Sequence, residues 1–206
     1  ILARVTGAAH AILTGERTAL NFLQRMSGIA TRTKEYVRAA GTNGTRILDT
    51  RKTTPGLRAL EKYAVVCGGG VNHRMGLYDR IMIKDNHREI AALEGPGGLA
   101  AAIRRCREQF PKLEIEVEAD TMEEVEIAAD AGVETILLDN MSNEEVASAV
   151  SAVAGRSLLE ASGGITLDRI PALAETGVDF ISVGALTHSA PAVDIALDLD
   201  PVTHPA

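Results

Sequence analysis

Apolar residues in the second half of the chain recur in short runs at a nearly constant interval. The runs lie at 113–117, 135–138, 158–161 and 180–183, and their starts are about 22 residues apart. This interval is the length of a compact unit of one strand and one helix. The pattern therefore predicts four strands, each followed by a helix.

The segments between these runs carry the end signals of helices. Thr121 is followed three residues later by Glu124, and Ser142 by Glu145, which is the spacing of an N-terminal capping box. Glycines stand where the helices should end, at Gly132, Gly155 and Gly177.

The first half fits the same scheme with two more predicted strands, at 46–49 and 80–83. Helices are predicted at 16–40, 57–67 and 97–110, the first of them with Arg17 in its opening turn. Six strands alternating with helices imply parallel strands joined by right-handed crossovers. We expect a closed or nearly closed α/β barrel. An open, doubly wound sheet is the alternative, since periodicity does not reveal closure.

Charge divides the chain into two unlike halves. Residues 1–112 hold 19 Lys and Arg against 9 Asp and Glu, whereas residues 113–206 hold 2 against 19. The basic residues are dispersed and only 3% of residues are aromatic, which argues against nucleic-acid binding because few rings could stack on bases. A small polyanionic ligand in the basic half, with a cation held by the acidic half, fits better.

The sequence gives no sign of a membrane or a secretory route. It contains no run of 18 apolar residues and no basic segment followed by an apolar stretch at its start. Cys67 and Cys106 are too far apart for a metal motif, so we expect reduced thiols in a cytoplasmic protein. Because the chain begins with Ile1 inside what reads as a structural element, we also expect further residues upstream.

Polar or glycine residues follow every predicted strand. In a barrel of parallel strands the C-terminal strand ends meet at one rim, where the site forms. The rim residues are Asp49, Thr50, Arg51, Lys52, Lys84, Asp85, Asn86, His87, Glu116, Glu118, Asp139, Asn140, Ser162, Gly163, Gly164, Gly184 and Ala185. Of these, Arg51, Lys52 and Lys84, together with Arg74, predict a cationic pocket, because such groups bind carboxylates and phosphates.

Carboxylates and glycines complete the predicted rim. Glu118 and Asp139 lie on adjacent strands and could share Mg²⁺, which takes one or two carboxylates plus phosphate oxygens. Glu114, Glu116 and Glu118 alternate along one strand and so share a face, which must meet cations if it points inward.

Two glycine-containing loops indicate phosphate binding. Ser162, Gly163 and Gly164 precede a predicted helix near Thr166, and glycine lets backbone N–H groups approach an anion there. Gly184 and His188 offer a second such loop after the last strand. Phosphate sites after the last two strands are common in barrels of this kind.

At this point a resemblance becomes visible in seven strings of the sequence. They are ERTALNFLQRMSGIATRT, DTRKTTPGLR, CGGGVNHRMGLYDRIMIKDNH, EVEAD, LLDN, EASGGI and SVGALTHS. In order and spacing, over residues 11–200, they resemble the motifs of the quinolinate phosphoribosyltransferases. The resemblance implies a Mg²⁺-dependent pentosyltransferase that joins quinolinate to phosphoribosyl pyrophosphate with loss of CO₂ and pyrophosphate. The product would be nicotinate mononucleotide, for NAD synthesis.

The resemblance also implies a role for each matching residue. Those that match quinolinate-binding positions are Arg17, Thr50, Arg51, His73, Arg74 and Lys84. Those that match phosphoribosyl pyrophosphate-binding positions are Lys52, Glu118, Asp139, Ser162, Gly163, Gly164, Gly184 and His188. Lys52, Glu118 and Asp139 are the implied catalytic residues, and Glu118 and Asp139 the implied Mg²⁺ ligands.

The family has an N-terminal α/β sandwich domain, and this sequence resembles the family from near the end of that domain. The implied division is a remnant of the sandwich at 1–16, a six-stranded, incomplete TIM-like α/β barrel at 17–188, and a returning tail at 189–206. In the family the sandwich covers the partner's barrel in a homodimer, to which Arg17 would contribute across the interface; dimers could associate further. Without a full sandwich, we expect that the chain could be inactive alone. The alternatives are a related barrel phosphoribosyltransferase with another heterocyclic substrate, and a non-catalytic binding or assembly module.

Overall fold

The computed structural model describes residues 1–93 and 98–199. The strands are β1 (Arg46–Leu48), β2 (Ile81–Ile83), β3 (Ile115–Ala119), β4 (Thr135–Asp139), β5 (Leu158–Ser162) and β6 (Phe180–Ser182). The helices are α1 (Ala9–Ala40), α2 (Arg58–Cys67), α3 (Asp85–Leu93), α4 (Gly98–Gln109), α5 (Met122–Asp130), α6 (Asn143–Val153), α7 (Ile170–Glu175) and α8 (Ala185–His188). A 3₁₀ turn at Leu167–Arg169 precedes α7. None of the described helices is long and apolar enough to cross a membrane.

All six strands form one parallel sheet in the order β1-β6-β5-β4-β3-β2. The strands therefore follow one another in chain order around a circle, if the two edge strands β1 and β2 are placed side by side. Among the described residues, no hydrogen-bonded strand pairing joins β1 to β2, and this gap is the opening of the sheet. The isolated bridge of Val71 to Leu48 lies at this opening, on the side of β1 away from β6.

The sheet is strongly curved. In a flat sheet β3 would lie about 19 Å from β1, at roughly 4.8 Å per strand. Yet His73, two residues after the bridge at Val71, lies 3.1 Å from Glu116 of β3 and 3.4 Å from Glu160 of β5. The molecule is therefore a six-stranded α/β barrel that is open between β1 and β2, as the sequence predicts. The open, doubly wound alternative is wrong.

Alternation along β3 separates the barrel interior from the helix layer. Ile115, Val117 and Ala119 are fully buried in the hydrophobic core that the strands share with the surrounding helices. Glu116 and Glu118 point the other way, into the barrel, where they meet cations. The sequence left the direction of the three alternating glutamates open: Glu116 and Glu118 face inward and meet cations, whereas Glu114, which precedes β3, is exposed.

Local end signals explain where α5 and α6 begin and end. At α6, Ser142 accepts from the Glu145 N–H at 3.2 Å while Glu145 accepts from the Ser142 N–H at 2.8 Å, which completes the predicted capping box. At α5, Thr121 accepts from the Glu124 N–H, but the Glu124 carboxylate accepts from Asp120 instead, so that box is only half formed. The three predicted glycines follow α5, α6 and α7 with positive φ: Gly132 (66°), Gly155 (80°) and Gly177 (84°).

Two differences from the predicted elements matter for the site. Helix α1 begins at Ala9, not near Glu16, so Arg17 lies two turns inside the helix and the expected first-turn position is wrong. Helix α3 begins directly after β2 and was not predicted, because its residues read as a polar rim loop. Gly97, the predicted start of α4, lies outside the described residues.

Candidate functional site

The loop after β1 brings two cations to the rim. Thr50 accepts from the Lys52 N–H at 3.0 Å, and the Lys52 carbonyl accepts from the hydroxyl of Thr187 in α8 at 2.8 Å. The carbonyl of Arg51 accepts from Arg58 of α2 at 3.2 Å. The backbone is thus fixed at three points, while the side chains of Arg51 and Lys52 make no ion pair with any described residue.

Arg74 enters from the segment that lies in the barrel opening. Its guanidinium donates to the Arg80 carbonyl at 3.2 Å and approaches the Met82 sulfur at 3.4 Å, with no carboxylate partner among the described residues. Burial and then the charge of Arg51 lower the pKa of Arg74. Two guanidinium groups thus lie close enough to repel each other, and an anion between them would relieve the repulsion.

Lys84, Glu118 and Asp139 converge from three neighbouring strands. Lys84, after β2, is ion-paired with Glu118 of β3. At the end of β4, the pKa of Asp139 is raised by burial and then by Glu118, against the opposing charges of Lys84 and Lys52. Because Lys52 follows β1 and Lys84 follows β2, their joint influence on Asp139 places all these groups around one mouth.

The glycine loops after β5 and β6 leave backbone donors free. Within the described residues, the N–H groups of Gly163, Gly164 and Gly184 make no hydrogen bond. A Cβ built on Gly163, where φ is 89°, would lie 2.1 Å from the Asn140 side-chain oxygen, so only glycine fits there. His188 lies close by, with its Nε2 3.1 Å from a Cβ placed on Gly184. The loops are therefore suited to an anion, although the predicted helix after Gly164 begins as a 3₁₀ turn.

A fully buried ion pair holds the cationic loops in place. Lys62 of α2 donates to Asp49 at the end of β1 and to the carbonyl of His73 at 2.9 Å. Asp49 also accepts from the His73 N–H at 2.8 Å and from the Asn72 amide at 2.7 Å. One carboxylate thus connects the strand that carries Arg51 to the loop that carries His73.

Glu61, the neighbour of Lys62 on α2, anchors the other side of the same loop. It is fully buried and accepts from the Thr54 N–H and hydroxyl, at 3.1 and 2.8 Å, and from Arg25 of α1 at 2.9 Å. Arg25 in turn donates to the carbonyls of Thr187 and Ala190. Helices α1 and α2 therefore fix the loop after β1 against the chain after β6.

His73 is buried rather than open to the pocket. Its Nδ1 accepts from the Arg74 N–H at 2.6 Å, and its Nε2 faces Glu116 and Glu160. Burial lowers the pKa of His73, but the hydrogen bonds to the two carboxylates outweigh it and raise the pKa to about 9. A charged ring would also carry a proton on Nδ1, but the Arg74 N–H points at that nitrogen and requires its lone pair. The observed hydrogen bonds therefore correspond to the ring that is protonated on Nε2 alone.

His73, Glu116 and Glu160 also offer three potential metal-ligand atoms within 4.8 Å of one another. However, the Arg74 N–H occupies the Nδ1 lone pair, which leaves the proton on Nε2. A nitrogen that carries a proton cannot bind a metal, so this arrangement favours hydrogen bonding.

Thirteen of the fourteen predicted site residues lie around the mouth of the barrel or directly beneath it. The exception is Arg17, which lies eight residues before Arg25 on α1, about 12 Å along the helix axis, and has no described partner. Sequence reasoning placed Asp49 and Glu116 at the rim without their roles, and it missed Glu61, Lys62 and Glu160. Adjacent Glu61 and Lys62 inside an apolar helical pattern were the available signal, since buried charges need partners.

Comparison with known proteins gives two family matches. Residues 29–198 match the model of the quinolinate phosphoribosyl transferase C-terminal domain, and residues 1–27 match that of the N-terminal domain. The chain is 48% identical over 200 residues to a probable nicotinate-nucleotide pyrophosphorylase (carboxylating) of Bacillus subtilis. It is 48% identical over 201 residues to the nicotinate-nucleotide pyrophosphorylase (carboxylating) of Mycobacterium leprae.

The fold agrees with solved structures of similar proteins. The crystal structure of NadC from Streptococcus pyogenes has a TM-score of 0.85 and 48% identity over 91% of this chain. The aligned regions cover 97% and 96% of this chain against the Bacillus and Mycobacterium proteins, but 68% and 69% of those proteins, and 65% of the Streptococcus chain. On the domain match and these identities, the chain belongs to the quinolinate phosphoribosyltransferase family.

Proposed function

We propose that this chain carries the phosphoribosyl-transfer site of a decarboxylating quinolinate phosphoribosyltransferase. The observation that carries the proposal is the pair of guanidinium groups of Arg51 and Arg74, neither of which forms an ion pair with a described carboxylate, near Lys52 and Lys84 at the barrel mouth. Guanidinium groups bind carboxylates through paired, charge-assisted hydrogen bonds. A planar dicarboxylate such as quinolinate has the charge and shape to occupy this pocket.

The acidic side of the mouth suits the sugar and a metal ion. The charge of Glu118 contributes to the raised pKa of Asp139, and a divalent cation between the two carboxylates would offset their repulsion. We propose that these two carboxylates hold Mg²⁺ together with pyrophosphate oxygens, where the ion would neutralise charge on the departing group. The carboxylates would also stabilise positive charge that develops on the ribose.

The two glycine loops suit the 5′-phosphate of the sugar donor. The free N–H groups of Gly163, Gly164 and Gly184, with Ser162 and His188 beside them, offer donors without a bulky side chain in the way. Phosphate at one end, pyrophosphate and Mg²⁺ at the other, and the cationic pocket opposite would hold the reactants in line.

In the proposed reaction, the ring nitrogen of quinolinate forms a bond to C1 of the ribose as the bond from C1 to pyrophosphate oxygen breaks. The electron pair of that bond leaves with pyrophosphate, whose charge Lys52 would offset. Mg²⁺ held by Glu118 and Asp139 would supply further positive charge to the leaving group. The bond from C2 of the pyridinium ring to its carboxylate then breaks, CO₂ departs, and the electron pair left at C2 takes a proton. The role of Arg51, Arg74 and Lys84 is to orient the dicarboxylate and offset its charge.

We further propose that Arg17 serves the site of a second copy. It has no described partner in its own chain, and a groove of about 290 Å³ lined by Thr18, Asn21, Phe22, Arg25 and Leu57 runs beside it on α1. Unpaired cysteines, with Cys67 exposed, support the expected cytoplasmic location.

Product formation tests the proposed function. The chain is incubated with phosphoribosyl pyrophosphate, Mg²⁺ and either quinolinate or nicotinate, and nicotinate mononucleotide and CO₂ are measured. Binding of each acid is measured by calorimetry, so that a chain without turnover is still tested. We expect quinolinate to bind at least about tenfold more tightly, since one lost charge-assisted hydrogen bond costs roughly 1.5–3 kcal/mol. Equal affinity for the two acids would contradict the assignment.

A further inference from the structure

Two buried acids lie beneath the cationic pocket. Glu116 and Glu160 are 0% and 1% exposed, and both approach the Nε2 of His73, at 3.1 and 3.4 Å. Glu116 has a second cationic neighbour, because Arg80 lies 3.5 Å from it at the lower end of the barrel. Glu160 forms no ion pair with an arginine or lysine of the described residues, although Arg80 is close enough for its charge to act on Glu160.

The burial of the Glu160 carboxylate should lower the stability of the fold. Neither of its oxygens has a hydrogen bond of acceptable geometry to a described residue, although His73 and Ser182 approach it. Burial and then the charge of Glu116 raise its pKa. A buried carboxylate with so little compensation is a poor choice for stability, since a neutral side chain of similar volume is often as stable or more stable. Its presence therefore calls for another explanation.

His73 lies between Glu160 and the pocket. Its Nε2 is hydrogen-bonded to Glu116 at 3.2 Å and lies 3.4 Å from Glu160, so the two carboxylates together set the plane of the ring. The same ring then presents Nδ1 to the backbone N–H of Arg74 at 2.6 Å. The backbone of Arg74 is thereby held at the point from which its guanidinium reaches into the barrel mouth.

We propose that Glu160 is a positioning residue which, with Glu116, orients His73 from below and through it fixes Arg74 in the anion pocket. The functional part rests on the proposed function, because Arg74 matters to a ligand only if the pocket binds quinolinate. The structural part, from Glu160 to the Arg74 backbone, stands on the contacts alone.

Simple electrostatics predicts the opposite effect of removing the charge. Taking a negative charge away from beneath a cationic pocket should strengthen the binding of a dianion. If Glu160 acts by positioning instead, the Glu160→Gln variant should bind quinolinate more weakly while being equally or more stable. The direction of the change therefore separates the two accounts.

The experiment compares the chain with its Glu160→Gln, Glu160→Asp and Glu134→Gln variants. Glu134 is the matched control, because it pairs with Arg107 and the Ile115 N–H at the opposite end of the barrel. Three quantities are measured: the thermal midpoint, the affinities for quinolinate and for inorganic pyrophosphate by calorimetry, and the hydrogen exchange of the Arg74 amide by NMR.

We expect Glu160→Gln to keep or raise the thermal midpoint and to weaken quinolinate binding by about tenfold or more, the scale of one charge-assisted hydrogen bond. Pyrophosphate affinity should stay unchanged, and the Arg74 amide should exchange several-fold faster. Glu160→Asp should recover part of the quinolinate affinity, and Glu134→Gln should leave both ligand affinities and Arg74 exchange unchanged.

Unchanged or tighter quinolinate binding in Glu160→Gln, with Arg74 exchange as in the parent chain, would overturn the inference. An equal loss of stability and of both ligand affinities would also overturn it, because that pattern marks a purely structural residue. If the parent chain binds no quinolinate, the proposed function fails, while the exchange of the Arg74 amide still decides whether Glu160 positions it.

Discussion

Replacing Lys62 with methionine should loosen the cationic pocket from a position that no ligand touches. Lys62 is 1% exposed and donates both to Asp49 and to the carbonyl of His73. Methionine keeps much of the volume but leaves a buried carboxylate without its cation. Breaking a buried pair in this way typically costs about 3–5 kcal/mol of unfolding free energy. We expect the lower end, about 3 kcal/mol, because Asp49 keeps the donors of His73 and Asn72.

The pH dependence of this loss has a definite sign. Burial raises the pKa of Asp49, and Lys62 and then the His73 N–H act against that increase. Without Lys62 the pKa should rise further. A group whose pKa is higher in the folded state binds its proton more tightly there, so stability is lost as the pH rises through that value. The deficit of Lys62→Met should therefore be greatest at neutral pH and shrink as the pH falls and Asp49 is protonated.

Urea unfolding at several pH values measures this deficit, and the double variant Asp49→Asn with Lys62→Met is the control. With no charge left to bury, the double variant should recover most of the stability at neutral pH. Quinolinate affinity should fall in Lys62→Met at neutral pH, because the loops that carry Arg51 and His73 share this anchor. A deficit below about 1 kcal/mol that is the same at every pH would refute the reasoning, because it would mean that Asp49 finds another partner.

Three further predictions concern the mouth of the barrel. Asp139→Ala should lower turnover with phosphoribosyl pyrophosphate at limiting Mg²⁺ while quinolinate affinity by calorimetry stays nearly intact; unchanged turnover would reject its role. Gly163→Ala should weaken phosphate binding and lower stability by about 1–3 kcal/mol, because a Cβ would lie 2.1 Å from the Asn140 side chain in a backbone of positive φ; an unaltered thermal midpoint would count against the close fit. Arg17→Ala and Lys84→Ala should each be inactive, and activity should return when they exchange subunits, because one hybrid site keeps both residues; continued inactivity of proven heterodimers would mean that Arg17 does not serve the partner's site.

Helices and strands could be predicted from the sequence where local signals, such as caps and glycines, agreed with the fold. Ser142 and Glu145 formed the predicted capping box, and glycines followed the helices where expected. The start of α1 could not be predicted, because Ala8 provides no side-chain cap. The first turns of the helix are also exposed and lack periodically spaced apolar residues. Closure of the sheet could not be read either, since it depends on contacts such as His73 with Glu160, which lie far apart in sequence.

Site residues could be predicted where they directly follow a strand. They could not be predicted where a side chain contributes by holding another side chain or loop in place. The rule that strand ends meet at one rim predicted that Lys52, Lys84 and Asp139 lie near one another, as they do in the structure. It carried no information on Lys62, whose role depends on where α2 lies against β1. Nor did it show that the His73 ring would point away from the mouth into the barrel interior, because that orientation is set by Glu116 and Glu160 on strands β3 and β5.

The charge asymmetry of the chain now has a structural explanation as well as a functional one. Most ion pairs among the described residues join the basic first half to the acidic second half: Arg80 with Glu114 and Glu116, Lys84 with Glu118, Arg88 with Asp120 and Glu124, and Arg107 with Glu134. Because β2 pairs with β3, the boundary between the halves becomes a seam of neutralised charge. Among the described residues, the cations at the mouth without an ion pair are Arg51 and Lys52, which follow β1, and Arg74, whose segment lies in the barrel opening and whose guanidinium reaches the Arg80 carbonyl and the Met82 sulfur. Ion pairs along the seam of β2 and β3 and their absence at the opening therefore locate the anion pocket more narrowly than net charge does.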